Sequence, residues 1–387
     1  MAYTIRGNKI VAPDAVINGL LILEEGKIAE IIPGVTNYSI DYDFGDAWIL
    51  PGFIDPHLHG LLQFNVGEAS AIEEIALAQP CFGTTSFLPT ATAMTDEEFI
   101  ESGRQARTAA AKTANSGARI LGLHLEGPFL NPEAAGAIAE ETRRPVNLQE
   151  AKHLVDELGD VLKLMTLSPE LENGAGLIAL LKQNGVVVSL GHSIAAADSL
   201  DDYINAGLSY VTHLFNAFPL SGEAEPGVLE SGLIEHILAS DQLCCEIICD
   251  LQHVAREWII IAGRVLEPDR FIAITDSLCG AGLESGRFDF ADGSRYHLVD
   301  GVARLEQDNR LAGSTLTMNK AFVNLLSCGI SPALASRFTS LNAAKVLQLD
   351  SELGSLETGK CADIAVLDQL GNCLATFIDG ALVFFKG

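Results

Sequence analysis

The stretch Ala47-Trp48-Ile49-Leu50-Pro51-Gly52-Phe53-Ile54-Asp55-Pro56-His57-Leu58-His59-Gly60 decides the fold. It begins as a continuous apolar run, the mark of a strand buried on both faces of a sheet. It ends in two histidines one residue apart, and alternate residues of an extended chain share a face. His57 and His59 therefore leave the end of a strand pointing the same way. Working outward, the pattern recurs. Predicted strands cover Ala47 to Ile54, Thr84 to Leu88, Arg119 to Leu125, Val161 to Leu167, Val186 to Leu190, Tyr210 to His213, Cys245 to Ile248 and Phe271 to Thr275. Helices are expected between them. One starts at Thr95-Asp96-Glu97-Glu98, a capping box, and another covers Gly176 to Gln183. Strands alternating with helices predict a parallel sheet covered on both sides. Eight such units predict an α/β protein built as a (β/α)8 TIM-like barrel. A doubly wound open sheet is the alternative, but no Gly-x-Gly-x-x-Gly follows the first strand.

The two ends of the chain read differently. Leu21 to Leu23 and Lys27 to Ile32 flank a Glu25-Gly26 turn, a hairpin signal. Ala362 to Leu367, Leu374 to Ile378 and Ala381 to Phe385 read as further strands. Neither end holds enough apolar residues for a core of its own. The two are expected to join as one small β-sandwich domain, residues 1–50 plus 356–387, beside a barrel domain of residues 51–355.

Composition excludes several classes. The 387 residues are 48% apolar and 19% charged, against disorder or a coiled coil, and mean hydropathy is +0.26. The apolar runs, such as Trp258 to Ala262, fall far short of the ~18 residues that span a bilayer, so no membrane association is expected. The first residues carry no basic segment followed by an apolar run, so no secretory leader is expected. Lys plus Arg number 24 and Asp plus Glu 51, giving a net charge of −27, which repels nucleic acid. An anionic substrate would need a local positive centre, such as a bound metal. The eight cysteines form no pair of CxxC motifs, and Cys245 and Cys249 lack a partner pair for a metal. Buried thiols in a reducing cytoplasm are the expectation.

In a (β/α)8 barrel the active site lies at the C-terminal ends of the strands. His57 and His59 follow the first predicted strand, Glu126 the third, His192 the fifth, His213 the sixth and Asp276 the eighth. Any one of these alone would read as an ordinary strand-end residue, and Asp276 as a helix N-cap. Five histidine or glutamate side chains at matched positions instead form a nitrogen-rich set with one carboxylate. Such a set suits a divalent transition metal, with zinc, iron, manganese or cobalt as candidates. Asp276 beside a metal would be the general base for an attacking water.

The stretch Pro51 to Gly60 resembles the first-strand signature of the amidohydrolase superfamily. The resemblance sharpens to the N-acetylglucosamine-6-phosphate deacetylase family through Gly83 to Thr90, Leu123 to Phe129, Gly191-His192-Ser193, Thr212 to Ala217, Thr275-Asp276 and Leu311 to Met318. Gly354 to Asp363 is shared with amidohydrolases generally. The resemblance implies hydrolysis of N-acetylglucosamine 6-phosphate to glucosamine 6-phosphate and acetate. It implies that Glu126, His192 and His213 hold the principal metal, and that His57 and His59 support a second where one is bound. Asp276 would be the catalytic acid and base. Asn216, Ala217, His253 and Ser314 would bind the substrate, and a homodimer would be expected.

Two departures from the family pattern stand out. Ile138, in Gly136-Ala137-Ile138, replaces a usual histidine, and Ala224, in Glu223-Ala224-Glu225-Pro226-Gly227, replaces an arginine that contacts phosphate. Arg143 and Arg144 are candidates to compensate, or else form a solvated basic pair. The departures leave two alternatives: the same chemistry on an unphosphorylated or different N-acyl amino sugar, or a catalytically silent binding subunit.

Overall fold

Gly52 divides the decisive stretch in two. The strand expected over Ala47 to Ile54 is two strands in different sheets, Trp48–Pro51 and Phe53–Leu58. A Cβ at position 52 would lie 2.2 Å from Thr85 Oγ1, so only glycine lets the chain pass here. Its N–H donates to the Asp363 carbonyl at 2.9 Å, and its carbonyl accepts from Ser340 Oγ at 2.6 Å. The structure is a computed structural model that describes residues 2–34, 38–134, 136–138, 142–219, 227–289, 295–307 and 309–386.

Phe53–Leu58 opens a parallel sheet. Thr84–Thr92, Leu123–Glu126, Leu162–Leu167, Val187–Leu190, Tyr210–Val211, Cys244–Ile248 and Phe271–Ile274 follow, each paired to the one before. The expected third strand is interrupted: Arg119–Ile120 pairs with the second strand, and pairing resumes at Leu123. The ends meet through a Leu58↔Ser277 bridge and the Asp276 N–H, which donates to the His57 carbonyl at 2.9 Å. The result is the expected TIM-like barrel.

Its strands alternate between two cores, as period-2 side chains must. Phe53, Phe87, Leu125, Phe271 and Ala273 pack against the surrounding helices. Ile54, Leu88, Ile272 and Ile274 join Leu164, Tyr210 and Ile248 in a separate cluster closed by Ala343 and Ala344. The capping box forms as expected, with Thr95 Oγ1 accepting the Glu98 N–H and Glu98 Oε2 accepting the Thr95 N–H. The helix expected over Gly176 to Gln183 starts two residues earlier, at Gly174.

The ends of the chain join as one β-rich unit. Trp48–Pro51 is its hinge, pairing antiparallel with Ile364–Leu367 and parallel with Ala2–Val11. Ile5, Ile10, Leu21, Ile49, Ile364, Val366 and Phe377 form its core. Glu25 and Gly26 adopt φ of 51° and 82°, the left-handed pair that a two-residue hairpin requires.

One element was not anticipated. Ser285–Asp289, Arg295–Val299, Val302–Leu305 and Leu311–Gly313 form a four-stranded antiparallel sheet after the eighth barrel strand. Tyr296 fastens it, its hydroxyl donating to the Cys279 carbonyl at 2.8 Å. Not every cysteine is buried: Cys81 is exposed and Cys244 and Cys361 are half-buried. Among the described residues no helix is long and apolar enough to cross a membrane.

Arg119 ties the barrel to the terminal sheet. Its guanidinium reaches Asp363 at 2.8 Å and Asp379 at 2.9 Å. Asp363 is buried; burial pushes its carboxyl pKa up, and Arg119 opposes the rise. Removing one partner of a buried pair strands the other, but Arg119 is 30% exposed and solvent softens the penalty. Arg119→Ala is expected to cost about 2 kcal/mol, read as a lower midpoint of urea unfolding. An unchanged midpoint would show that the two sheets are held together elsewhere.

Candidate metal centre at the barrel mouth

Four predicted histidines converge on one carboxylate. Glu126 ends the third strand and is buried. Its Oε1 lies 2.9 Å from His213 Nε2 and 3.1 Å from His192 Nε2. Its Oε2 lies 3.2 Å from His59 Nε2, and Oε1 is 3.7 Å from His57 Nε2. Asp276 faces the same space: its Oδ1 is 3.2 Å from His59 Nε2 and 3.4 Å from His57 Nε2. Among the described residues three trios have ligand atoms within 4.8 Å of one another: Glu126 with His192 and His213, His57 with His59 and Asp276, and His57 with His124 and Glu246.

The backbone aims these side chains. His192, His213 and Asp276 each sit two residues beyond the end of a strand. All three adopt left-handed φ, at 50°, 30° and 46°. Such conformations cost of order 1–3 kcal/mol each and collect at functional sites. They turn the chain sharply at the rim.

Every ring is held from behind. Nδ1 of His59 faces the Thr90 carbonyl at 3.1 Å, Nδ1 of His192 the Ala134 carbonyl at 3.0 Å, and Nδ1 of His213 the Asn216 carbonyl at 3.2 Å. Nδ1 of His57 faces Glu246 Oε2 at 2.9 Å. A carbonyl or carboxylate can only accept, so each Nδ1 carries a proton and each Nε2 is left to hold a second proton or a metal ion. Yet His192 and His213 Nε2 are 3.1 Å apart, and His57 and His59 Nε2 are 3.2 Å apart. Lone pairs facing at that distance need a positive charge between them.

The electrostatics agree. Burial lowers the His59 pKa, but hydrogen bonds to Asp276 and Glu126 override it and raise the value to about 10. Burial likewise opposes protonation of His213, and Glu126 lifts its pKa to about 9. Burial works against the charge on Glu126, and its histidine partners hold its carboxyl well below the usual range. Asp276 is also held low, the His57 and His59 charges outweighing burial. Imidazole nitrogens and carboxylate oxygens demanding a cation are the donor set of a divalent transition metal.

The remaining predicted residues divide. His253 sits beside the cluster on a loop, with Nδ1 2.6 Å from Asp250 Oδ2. Burial lowers its pKa, but Asp250 and the charge of Asp276 raise it. Asn216 Nδ2 donates to the His253 carbonyl at 3.5 Å, and its buried Oδ1 has no hydrogen-bond partner. Ala217 follows in left-handed conformation. Gly136 lies close over this rim: a Cβ there would meet His192 Cε1 at 3.2 Å and Ala217 Cβ at 3.7 Å. Ser314 bridges to Ser277 beside Asp276, but its hydroxyl accepts the Leu316 N–H at 3.0 Å within its own loop. Ile138 is half-buried, and Ala224 lies outside the described residues. Arg144 is not a solvated cation: it pairs with Asp96, lies 3.8 Å from Glu150 and covers the Phe129 ring. Arg143 donates to the Pro132 carbonyl at 2.8 Å.

Three buried polar residues escaped the sequence reading. Glu246 backs His57, His124 packs edge-on against His57, and Asp55 accepts the Thr275 hydroxyl at 2.6 Å where the first and eighth strands close. A charged residue inside the apolar run Cys244–Ile248 was the available signal for Glu246.

Comparison with known proteins meets this geometry. Residues 48–383 match the model of the amidohydrolase family. The N-acetylglucosamine-6-phosphate deacetylase of Bacillus subtilis (strain 168) is 33% identical, covering 97% of this chain and 96% of its own. The N-acetylgalactosamine-6-phosphate deacetylase of Escherichia coli O157:H7 is 29% identical over the full length of both. Among solved structures, the N-acetylglucosamine-6-phosphate deacetylase of Thermotoga maritima superposes with a TM-score of 0.86 at 30% identity, covering 100% of both chains. A variant of the Mycobacterium smegmatis N-acetyl-D-glucosamine-6-phosphate deacetylase, in complex with N-acetyl-D-glucosamine-6-phosphate, gives 0.89 at 26% identity, covering 99% of both. The chain therefore belongs to the amidohydrolase family and, within it, to the N-acetylglucosamine-6-phosphate deacetylases.

Proposed function

We propose that this chain removes the acetyl group of N-acetylglucosamine 6-phosphate, giving glucosamine 6-phosphate and acetate. The observation that supports it most is the convergence of four imidazole Nε2 atoms and two carboxylates, Glu126 and Asp276, at one barrel mouth. Glu126, His192 and His213 would hold one divalent ion, zinc in the first instance and iron, manganese or cobalt otherwise. His57 and His59 would support a second, since Glu126 directs one oxygen to His192 and His213 and the other to His59. A bound divalent ion supplies a positive centre that acidifies a water and polarises the acetamide carbonyl.

The protein's own groups do the rest. Asp276 accepts a proton from the attacking water as oxygen bonds to the acetyl carbon. It then gives that proton to the sugar nitrogen as the C–N bond breaks, releasing amine and acetate. The low pKa direction of Asp276 keeps it a base at neutral pH. Asn216, Ala217, His253 and the Ser314 loop would orient the sugar. Eight free thiols suit a reducing cytoplasm. Trp258, Ile261 and Val265 expose an apolar stripe along one helix, a surface suited to a second copy of the chain.

Chelation is expected to abolish hydrolysis and added zinc, manganese or cobalt to restore it, with His192→Ala and His213→Ala losing metal by elemental analysis. Asp276→Asn should keep the metal and lose roughly 10²–10⁴ in kcat; near-normal turnover would remove Asp276 from the mechanism. For N-acetylglucosamine, the 6-phosphate is expected to raise kcat/KM more than about tenfold, a contribution of ~1.4 kcal/mol. A ratio near one would point to an unphosphorylated N-acyl sugar instead.

A further inference from the structure

Glu246 lies within the seventh barrel strand, Cys244–Ile248, and is fully buried. Among the described residues its only ion pair is with His57, at 2.9 Å. The same oxygen, Oε2, accepts the backbone N–H of His213 at 3.3 Å, and the Glu246 carbonyl accepts the Leu214 N–H at 2.8 Å. One residue of the seventh strand thus grips the ends of the first and the sixth. The carboxylate also faces the buried Tyr210 hydroxyl, whose pKa is raised by burial and by the Glu246 charge.

Its value lies in what it does to His57. The rings of His59, His192 and His213 are backed by backbone carbonyls, whereas His57 is backed by a carboxylate. An ionised acceptor makes the stronger hydrogen bond and leaves the opposite ring nitrogen a better donor. His124 cannot substitute, because its two ring nitrogens meet the Thr90 and Thr166 hydroxyls at 3.3 and 2.8 Å.

We propose that Glu246 is a positioning residue that keeps the His57 proton on Nδ1, aims the Nε2 lone pair at the centre shared with Glu126 and Asp276, and thereby raises the affinity of the barrel mouth for a divalent cation. The inference rests on the metal-dependent reading given above. Its test is zinc affinity, measured by competition with a chromophoric chelator, for the wild type, Glu246→Gln and Glu246→Leu. Glu246→Leu is expected to bind zinc about 10–100-fold more weakly, and Glu246→Gln to fall between it and the wild type. The metal-free Glu246→Leu protein is expected to unfold at a lower midpoint, because the His57 Nδ1–H and the His213 N–H lose their buried acceptor. A purely structural glutamate would lower that midpoint in the same way but spare zinc affinity in the folded fraction. Equal zinc affinity in all three proteins overturns the positioning role and leaves the metal reading intact. A wild type that binds no zinc overturns the metal reading itself. Nitrogen-15 spectra of histidine-labelled, zinc-loaded wild type test the same point without relying on folding of either Glu246 variant. The His57 signal, identified by its loss in His57→Gln, should show the proton on Nδ1, and a proton on Nε2 overturns the proposal.

Discussion

Four imidazole rings pinned by their outer nitrogens, with their inner nitrogens crowded together against two carboxylates, set the terms for everything at this barrel mouth. The constraint is electrostatic before it is chemical. Each Nδ1 has an acceptor behind it, so no ring can relieve the repulsion by turning its proton inward. Three of the four acceptors are backbone carbonyls, of Thr90, Ala134 and Asn216. The fold therefore fixes the tautomers through the course of the chain, and substitution at those positions leaves the carbonyls in place. Only His57 depends on a side chain for its orientation.

Holding such a cluster requires rigid support. The rim positions of His192, His213 and Asp276 have left-handed backbones that short polar loops would not maintain alone. Each is joined to a neighbouring strand. The Asp276 N–H donates to the His57 carbonyl at 2.9 Å, and the Leu214 N–H to the Glu246 carbonyl at 2.8 Å. Beneath the first and eighth strands, Asp55 holds the Thr275 hydroxyl and N–H. Burial outweighs these bonds and pushes its carboxyl pKa up to about 7. Lower still, Ile54, Leu88, Leu164, Ile248 and Ile274 fill the space with apolar side chains. The polar mouth thus stands on a packed, apolar floor.

What the sequence disclosed follows from where the information sits. His57, His59, Glu126, His192, His213 and Asp276 were legible because each lies at a predicted strand end, and barrel geometry brings strand ends together whatever their separation in sequence. Glu246 was not, because its partner His57 is 189 residues away and lies on another strand. Gly52 was not read as a break, because apolar residues continue on both sides of it and periodicity carries no record of a change of sheet. The four-stranded insert was missed although Asp300-Gly301, with φ of 52° and 76°, is a hairpin turn signal. Its strands are short and largely polar outward, so they resemble loop in composition.

The two halves of the site rest on different kinds of structure. The amide-cleaving half is carried by strands and their first turns, and metal chemistry tolerates little displacement there. In the proposed function, the sugar-facing half would be carried by loops around Gly136, Asn216, His253 and Ser314. The relatives include enzymes named for N-acetylglucosamine 6-phosphate and for N-acetylgalactosamine 6-phosphate, sugars that share the acetamide and differ in a hydroxyl. In this chain the net charge of −27 repels a phosphorylated sugar at long range, so attraction must be local. Arg144 is already paired with Asp96, so among the described residues it is the histidine cluster, with its demand for a cation, that offers the mouth a positive centre.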